Sequence, residues 1–157
     1  THALSDEVEM LENYLALEQL RFRGKFKFDI RMDKELQSDM IQIPPMLVQP
    51  FIENAILHGM KNKVQDGKIE VVFSRINENL AVSIIDNGPG FNTPDHLPNT
   101  DTENGHKSVG IALTKNRLEL LSEKSNEASF TQETLLTPEG AVAGFRVILM
   151  LPLDINH

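Results

Sequence analysis

The sequence predicts an α+β fold, an α/β sandwich in which helices cover one face of a mixed sheet and a helical arm precedes the sheet. Segments with strand-like alternation interleave with segments of helical spacing along the 157 residues. The last two strand-like segments, near 129–135 and 145–151, are typical of a hairpin, so the sheet is expected to contain antiparallel strands. Residues 4–22 form a long helical segment ahead of the first strand.

The helical arm is predicted from apolar spacing. Its main face follows the four-three-four pattern of one side of a helix, in Leu4, Val8, Leu11 and Leu15. Further apolar residues widen this face, as expected of a helix that packs on two neighbours. The arm is therefore a candidate dimerisation element, because one stripe must face its own domain and another is left over.

Alternation of apolar and polar residues predicts the other strands. Residues 26–32 alternate with a period of two, and so do residues 69–73 and 80–84. The latter pair is expected to be joined by a turn near 77–79, and Asp86 closes the second strand.

Two further helices are predicted from local signals. A proline pair at 44–45 favours a helix over about 46–58 that is closed by Gly59. A second helix is predicted over about 109–123. The polar segment 87–107 between strand and helix is too long for a plain connector, which is typical of a functional or mobile loop.

The composition excludes several classes of function. With 15 Lys and Arg against 23 Asp and Glu, the net charge is −8, which disfavours binding to nucleic acid or anionic lipid. The absence of cysteine excludes thiol nucleophiles, zinc thiolates and disulfides. No apolar run approaches the roughly 20 residues of a membrane span. Because the sequence starts at Thr1 without an initiator Met, we expect a piece of a longer protein.

The segment 49–59 carries polar side chains on one side of its predicted helix. Glu53, Asn54 and His58 lie opposite an apolar packing face, and Asn54 and His58 are four residues apart, as helical neighbours are. A carboxylate, an amide and an imidazole can supply a base, a hard oxygen ligand and a hydrogen-bond donor. The alternative is a solvated helix face, with His58 near the C-terminal dipole.

Two later segments combine glycines with the end of a strand or the start of a helix. Asp86 is followed by Gly88 and Gly90, so a carboxylate able to accept from an exocyclic amine, such as that of adenine, lies beside backbone that a ligand can approach. The alternative is an ordinary turn. The segment 105–113 opens a helix and presents N–H groups to an anion, unless it is only a helix start capped by Ser108.

In this order the segments resemble the ATP-binding domain of sensor histidine kinases, within the gyrase–Hsp90–histidine kinase–MutL superfamily and its Bergerat-type sandwich. Residues 53–55 resemble the N box, 86–91 the G1 box, 105–113 the G2 region and 91–104 the ATP lid. The chain is more similar to the autolysin-sensor (LytS-like) branch. The marks of that branch lie at 14–18, 21–22, 43–45, 49–55, 58–59, 117–118 and 151–152.

The resemblance implies ATP and Mg²⁺ as cofactors and an expected role for each site residue. Asn54 would offer its side-chain oxygen to Mg²⁺, Asp86 would accept from the adenine amine, and Glu53 would be the candidate polarising base. The residues expected to bind ATP are Asn54, His58, Lys61, Asp86, Gly88, Gly90, Phe91, Lys107, Ser108, Val109, Gly110, Leu113 and Arg117.

Four residues depart from the family's pattern. Leu57 stands where many members have a lysine that faces phosphate, so Lys61, Lys63, Lys107 or Arg117 would compensate. The other departures are Ser108 and Ala112 in place of glycines and Phe145 in place of a common threonine. They concern the phosphate contacts and leave Asp86 and Asn54 unaffected.

The activity implied is that of a two-component sensor histidine kinase. The γ-phosphoryl of ATP would pass to the kinase's own His, in an upstream His-Phe-x-Phe-Asn segment that these residues lack, and then to an Asp of a response-regulator receiver domain. The chain alone is therefore expected not to autophosphorylate. Residues 1–23 would be the second dimerisation helix of a homodimer and 24–157 the catalytic domain. That domain would lie on the cytoplasmic side of a membrane sensor, with membrane contact only through upstream segments and no nucleic-acid partner.

Two other functions are weighed against this one. A degenerate nucleotide-binding scaffold that signals without transfer is favoured by Leu57, Ser108 and Ala112. An ATPase of the gyrase or MutL type would require a Glu four residues before Asn54, where Pro50 stands.

Overall fold

The computed structural model describes residues 1–60, 66–88 and 129–155. The elements in chain order are β1 (His2–Ala3), α1 (Leu4–Arg21), β2 (Phe26–Met32), β3 (Ile41–Ile43), α2 (Gln49–Asn54), a π-helix (Ala55–Met60), β4 (Gly67–Ile76), β5 (Asn79–Asp86), β6 (Ser129–Leu136), β7 (Val142–Pro152) and β8 (Asp154–Ile155). The predicted helix over 109–123 and most of the loop 87–107 lie outside the described residues.

The main sheet has five strands in the order β2-β4-β5-β7-β6. Strands β2 and β4 are parallel, whereas every other neighbouring pair is antiparallel, so the predicted mixed sheet is confirmed. The late hairpin is also confirmed, with β6 and β7 paired from Ser129 opposite Met150 to Leu136 opposite Val142. Strand β5 therefore lies in the middle of the sheet, with a strand on each side along its whole length.

One face of the sheet carries the core and the other is more polar. The alternating inward residues of the three central strands are buried: Ile69, Val71 and Phe73, then Leu80, Val82 and Ile84, then Val147, Leu149 and Leu151. Buried residues of α1 and α2 belong to the same hydrophobic cluster, so both helices cover this face. On the outer face, the hydrogen bond from Lys68 and the nearby charge of Arg31 hold the pKa of Glu70 below its usual range.

The arm helix α1 ends within one residue of its predicted limit. Leu4, Leu11 and Leu15 are fully buried in the core shared with the sheet, which confirms the predicted inward face. Leu17 and Leu20 are exposed over 66% and 77% of their surface, so a second apolar stripe faces away from the domain.

The helix predicted over 46–58 is placed differently in the structure. It begins at Gln49, because Met46 has a left-handed backbone with φ of 60°, which is incompatible with a helical turn. It is also not closed by Gly59, since the chain continues as a π-helix to Met60. A π-turn inserts an extra residue per hydrogen-bonded ring, and such turns are frequent at functional sites.

A small second sheet was not expected from the sequence. It joins β1, β3 and β8, all antiparallel, and so connects the start of α1 to the last strand of the described chain. Two further contacts hold the start of α1 in place. The Ser5 N–H donates to the Ser38 carbonyl at 3.0 Å, and His2 Nε2 lies 2.5 Å from Oε2 of the buried Glu7.

Candidate nucleotide-binding site

Asp86 is a buried carboxylate at the end of the central strand β5. Its side chain lies on the helix-covered face of the sheet and only 3% of the residue is exposed. The Gly88 N–H donates to Asp86 Oδ1 at 2.8 Å, so this oxygen is held by the backbone that follows the strand. A buried carboxylate with one oxygen fixed in this way presents the other oxygen in a defined direction.

Glycines at 59 and 88 let the helix and the loop approach Asp86 closely. A Cβ at position 59 would lie 2.7 Å from both Cγ and Oδ1 of Asp86, well inside van der Waals contact. A Cβ at position 88 would lie 2.4 Å from Gly59 Cα and 2.5 Å from the Gly59 carbonyl oxygen. Gly59 therefore lies in the site itself, whereas the sequence predicted it as a helix end and as part of a mark of the LytS-like branch.

Gly144 of the neighbouring strand β7 lies close to the backbone of Asp86. A Cβ there would lie 2.1 Å from the carbonyl oxygen of Asp86 and 3.2 Å from Asn87 Cα. Gly59 and Gly88 thus lie against the carboxylate and Gly144 against the backbone of the same residue, and only glycine fits at these points of contact. Gly144 was not among the predicted site residues, because its role depends on strand pairing over a long stretch of chain.

Asn87 fixes the backbone between Asp86 and Gly88. Its side-chain oxygen accepts from the Lys68 N–H at 2.8 Å, and its amide nitrogen donates to the Asp66 carbonyl at 2.8 Å. The start of β4 is thereby joined to the end of β5. The segment after β5 is not the turn of a simple hairpin, because the two strands that pair with β5 are β4 and the distant β7.

The helical segment beside Asp86 supplies Asn54 and His58. His58 is buried and directly precedes Gly59, whereas Asn54 is partly exposed at the end of α2. The π-helix begins at Ala55, between these two residues, and carries Gly59 against Asp86.

Comparison with known proteins identifies this arrangement. The family model of histidine kinase-, DNA gyrase B- and HSP90-like ATPases matches residues 44–155, which include the helix, Asp86 and the glycines around it. The chain belongs to this ATPase family. The match spans well over half of the 157 residues, and it begins after α1.

Several relatives of this chain are named as sensor proteins. The chain is 35% identical over 130 residues to the sensor protein LytS of Staphylococcus haemolyticus, covering 80% of this chain and 22% of that protein. It is 30% identical over 156 residues to the sensor histidine kinase/phosphatase LytS of Staphylococcus aureus, covering 98% of this chain and 25% of that protein. The chain thus spans about a quarter of the length of these relatives.

A solved structure confirms the fold. The catalytic domain of histidine kinase ThkA superposes with a TM-score of 0.64 and 13% identity, covering 98% of this chain and 96% of that one. The α/β sandwich with a helix-covered mixed sheet is therefore the fold of histidine kinase catalytic domains. ATPases of this family use a nucleotide, so the enclosed Asp86 lies in a nucleotide-using domain.

Glu53 lies beside the arm helix. Gln49 Nε2 donates to Glu53 Oε1 at 3.1 Å. Burial of Tyr14 on α1, and then the carboxylates of Glu18 and Glu53, raise the pKa of the Tyr14 phenol. The role of Glu53 as a polarising base stays a prediction. Its charge acts on Tyr14, so Glu53 lies near α1 and the arm is close to the helix that carries Asn54.

Several predicted nucleotide contacts fall outside the described ranges 1–60, 66–88 and 129–155. These are Lys61, Gly90, Phe91, Lys107, Ser108, Val109, Gly110, Leu113 and Arg117, together with the possible compensating Lys63. The predicted residues that the structure brings near one another are Asp86, Gly88 and the His58–Gly59 end of the helix. Leu57 is partly buried in this helix, and its side chain carries no positive charge that could face phosphate.

The described residues could hold a metal ion only together with oxygen atoms of a bound nucleotide. Across the described part of the chain, no group of three or more His, Asp or Glu residues could hold a metal ion. Asn54 offers one partly exposed amide oxygen, the hard ligand type that Mg²⁺ accepts beside phosphate oxygens and water.

The helices of the described ranges include no candidate for a membrane span, since none combines the necessary length with the necessary apolar character.

Proposed function

We propose that this chain is the ATP-binding catalytic domain of a LytS-like sensor histidine kinase. In this proposal the γ-phosphoryl of ATP is transferred to a His on an upstream helix and then to an Asp of a response-regulator receiver domain. The observation that carries the proposal is Asp86, buried at 3% exposure at the end of the central strand and enclosed by glycines.

The environment of Asp86 suits an adenine ring with its exocyclic amine. Oδ1 accepts the Gly88 N–H, which orients the carboxylate that is proposed to accept from the amine. A hydrogen bond to a charged group contributes about 1.5–3 kcal/mol, so a ligand that lacks the donor binds more weakly. The missing side chains at positions 59 and 88 keep the helix and loop backbone close enough to hold this carboxylate in place.

The remaining residues of the site are proposed to position the phosphates. Asn54 would hold Mg²⁺ through its amide oxygen, and the bound ion would neutralise charge on the phosphates. His58, next to Gly59, is proposed to donate to phosphate. Phosphoryl transfer depends mainly on positioning and charge stabilisation, so the domain needs no strong general base.

The arm helix is proposed to pair with a second copy of the chain. Its outward residues Met10, Asn13, Leu17 and Leu20 follow a three-four-three spacing, which is the a and d pattern of a helical seam. Leu17 and Leu20 are the most exposed large apolar residues of the described chain, as expected of a helix that pairs with another chain. We propose that this homodimer lies on the cytoplasmic side of a membrane sensor, as the resemblance to the LytS-like branch implies.

A phosphotransfer assay tests the proposed activity. With radiolabelled ATP and Mg²⁺, the isolated chain is expected to retain no label. A longer protein in which a His-Phe-x-Phe-Asn segment precedes this chain is expected to become labelled on the histidine of that segment.

The histidine-to-glutamine variant of that longer protein is the control, and it should stay unlabelled. Label on the isolated chain would overturn the assignment of the acceptor. A longer protein that binds ATP and never becomes labelled would establish the signalling scaffold instead.

A further inference from the structure

Strand β3 of the small second sheet leads into the helix that carries Asn54. The short connector 44–48 joins the two elements. This connector is stiff, because Pro44 and Pro45 have fixed φ angles and its last two residues are fully buried. A shift of β3 is therefore expected to move the start of α2 with it.

The position of β3 is set by one strand on each side. Strand β8 pairs with Ile41 and Gln42 and follows closely on β7, so it ties β3 to the main sheet. Strand β1 pairs with Gln42 and Ile43 and directly precedes the arm, so it ties β3 to α1. If β1 separated, β8 would be the one described strand that still pairs with β3.

A buried carboxylate on the first turn of the arm holds β1 in place. Glu7 is only 2% exposed, and its Oε2 lies 2.5 Å from Nε2 of His2 in β1. A carboxylate removed from water needs a polar partner, so this contact opposes any movement of β1 away from the arm. The Ser5 N–H, which donates to the Ser38 carbonyl at 3.0 Å, joins the same turn to the chain just ahead of β3.

We propose that Glu7 and His2 are positioning residues for the nucleotide site, which act through β1 and β3 on the helix that carries Asn54. The inference rests on the proposed function, since it requires ATP beside Asn54. The contact between Glu7 and His2 fixes β1, β1 fixes β3, and β3 fixes the start of α2. ATP binding and the pairing of β1 are then coupled, and each favours the other to the same extent.

Titration of His2 variants with ATP tests this coupling. His2→Ala removes the partner of the buried Glu7 and is expected to lower ATP affinity about 5- to 10-fold, at the lower end of coupling between separate sites. His2→Gln keeps a hydrogen-bond donor on a side chain of similar reach, so it should retain most of the wild-type affinity. Gln19→Ala is the matched control, because it removes the 3.0 Å hydrogen bond from Gln19 Nε2 to the Phe26 carbonyl at the other end of the arm. This control should bind ATP as the wild type does.

Each outcome decides the inference. ATP affinity unchanged in His2→Ala would overturn it, and so would an equal loss in Gln19→Ala, which would indicate a general loosening of the arm. An equal loss in His2→Gln would also overturn it, because the effect would not depend on the contact with Glu7. Failure of the wild-type chain to bind ATP would instead overturn the proposed function.

A measurement on the wild-type chain removes any dependence on how the variants fold. Because the coupling is reciprocal, ATP is expected to slow hydrogen exchange of the backbone amides of β1 and β3 by up to the factor of affinity lost in His2→Ala. The Lys25 N–H, which donates to the Phe22 carbonyl at 3.1 Å beyond the other end of the arm, is the internal reference and should be slowed less. Equal slowing at both places, or none in β1 and β3, would contradict the inference.

Discussion

Replacing Asp86 by Asn is expected to weaken ATP binding by roughly 100-fold or more. The substitution keeps the shape of the side chain, and its single oxygen is needed by the Gly88 N–H, which lies 2.8 Å from Oδ1 in the wild-type chain. The new amide nitrogen would then face the adenine amine, so two donors would meet in a buried place where one acceptor stood before. Isothermal calorimetry with ATP and Mg²⁺ measures the loss.

Asp33→Asn is the matched control for this prediction. Asp33 is exposed and accepts the Arg75 N–H on a different part of the chain, so its replacement should leave ATP affinity unchanged. Thermal unfolding should show that both variants are folded. Equal ATP affinity in wild type and Asp86→Asn would remove Asp86 from the site.

The second large effect is expected for Gly144→Ala. The added methyl group would lie 2.1 Å from the Asp86 carbonyl oxygen, a backbone atom that cannot move aside without separating β5 from β7. Overpacking of this kind costs about 3 kcal/mol, or more when backbone must move. For a domain of this size that loss lowers the unfolding temperature by roughly 6–12 °C.

Gly140→Ala distinguishes this clash from a general cost of losing a glycine. Gly140 has φ of +86° in the turn between β6 and β7, and a Cβ there would meet nothing within 4 Å. Its replacement should cost only the left-handed strain, about 1 kcal/mol. If scanning calorimetry gives Gly144→Ala the same unfolding temperature as Gly140→Ala, the close approach of the two strands is wrong.

The strands and the arm could be predicted because their apolar residues recur at regular spacing. Alternation over β2, β4, β5 and β7 reflects one buried face, and the four-three-four spacing of α1 reflects another. A pattern several residues long leaves little choice of secondary structure. The strands of the second sheet have two or three residues each, which is too short for any period to appear.

The helix start and the glycine enclosure could not be predicted in the same way. Nothing in the type of residue indicates that Met46 adopts a left-handed backbone, although it directly precedes the fully buried Leu47 and Val48. Gly59 has the local signature of a helix end, and only the tertiary structure shows that its missing side chain makes room for Asp86. Asp86 itself was predictable, because a carboxylate that ends a buried strand ahead of two glycines is visible in the sequence.

The central claim is that this chain binds ATP through the adenine amine at Asp86, and calorimetric titration of the wild-type chain with two nucleotides tests it most directly. In the presence of Mg²⁺, ATP is expected to bind, and inosine triphosphate, which differs by a carbonyl in place of the amine, is expected to bind roughly 100-fold more weakly. The phosphates are the same in both titrations, so the difference measures the contact at the base alone. Equal affinity for the two nucleotides, or no heat of binding with ATP, would contradict the account.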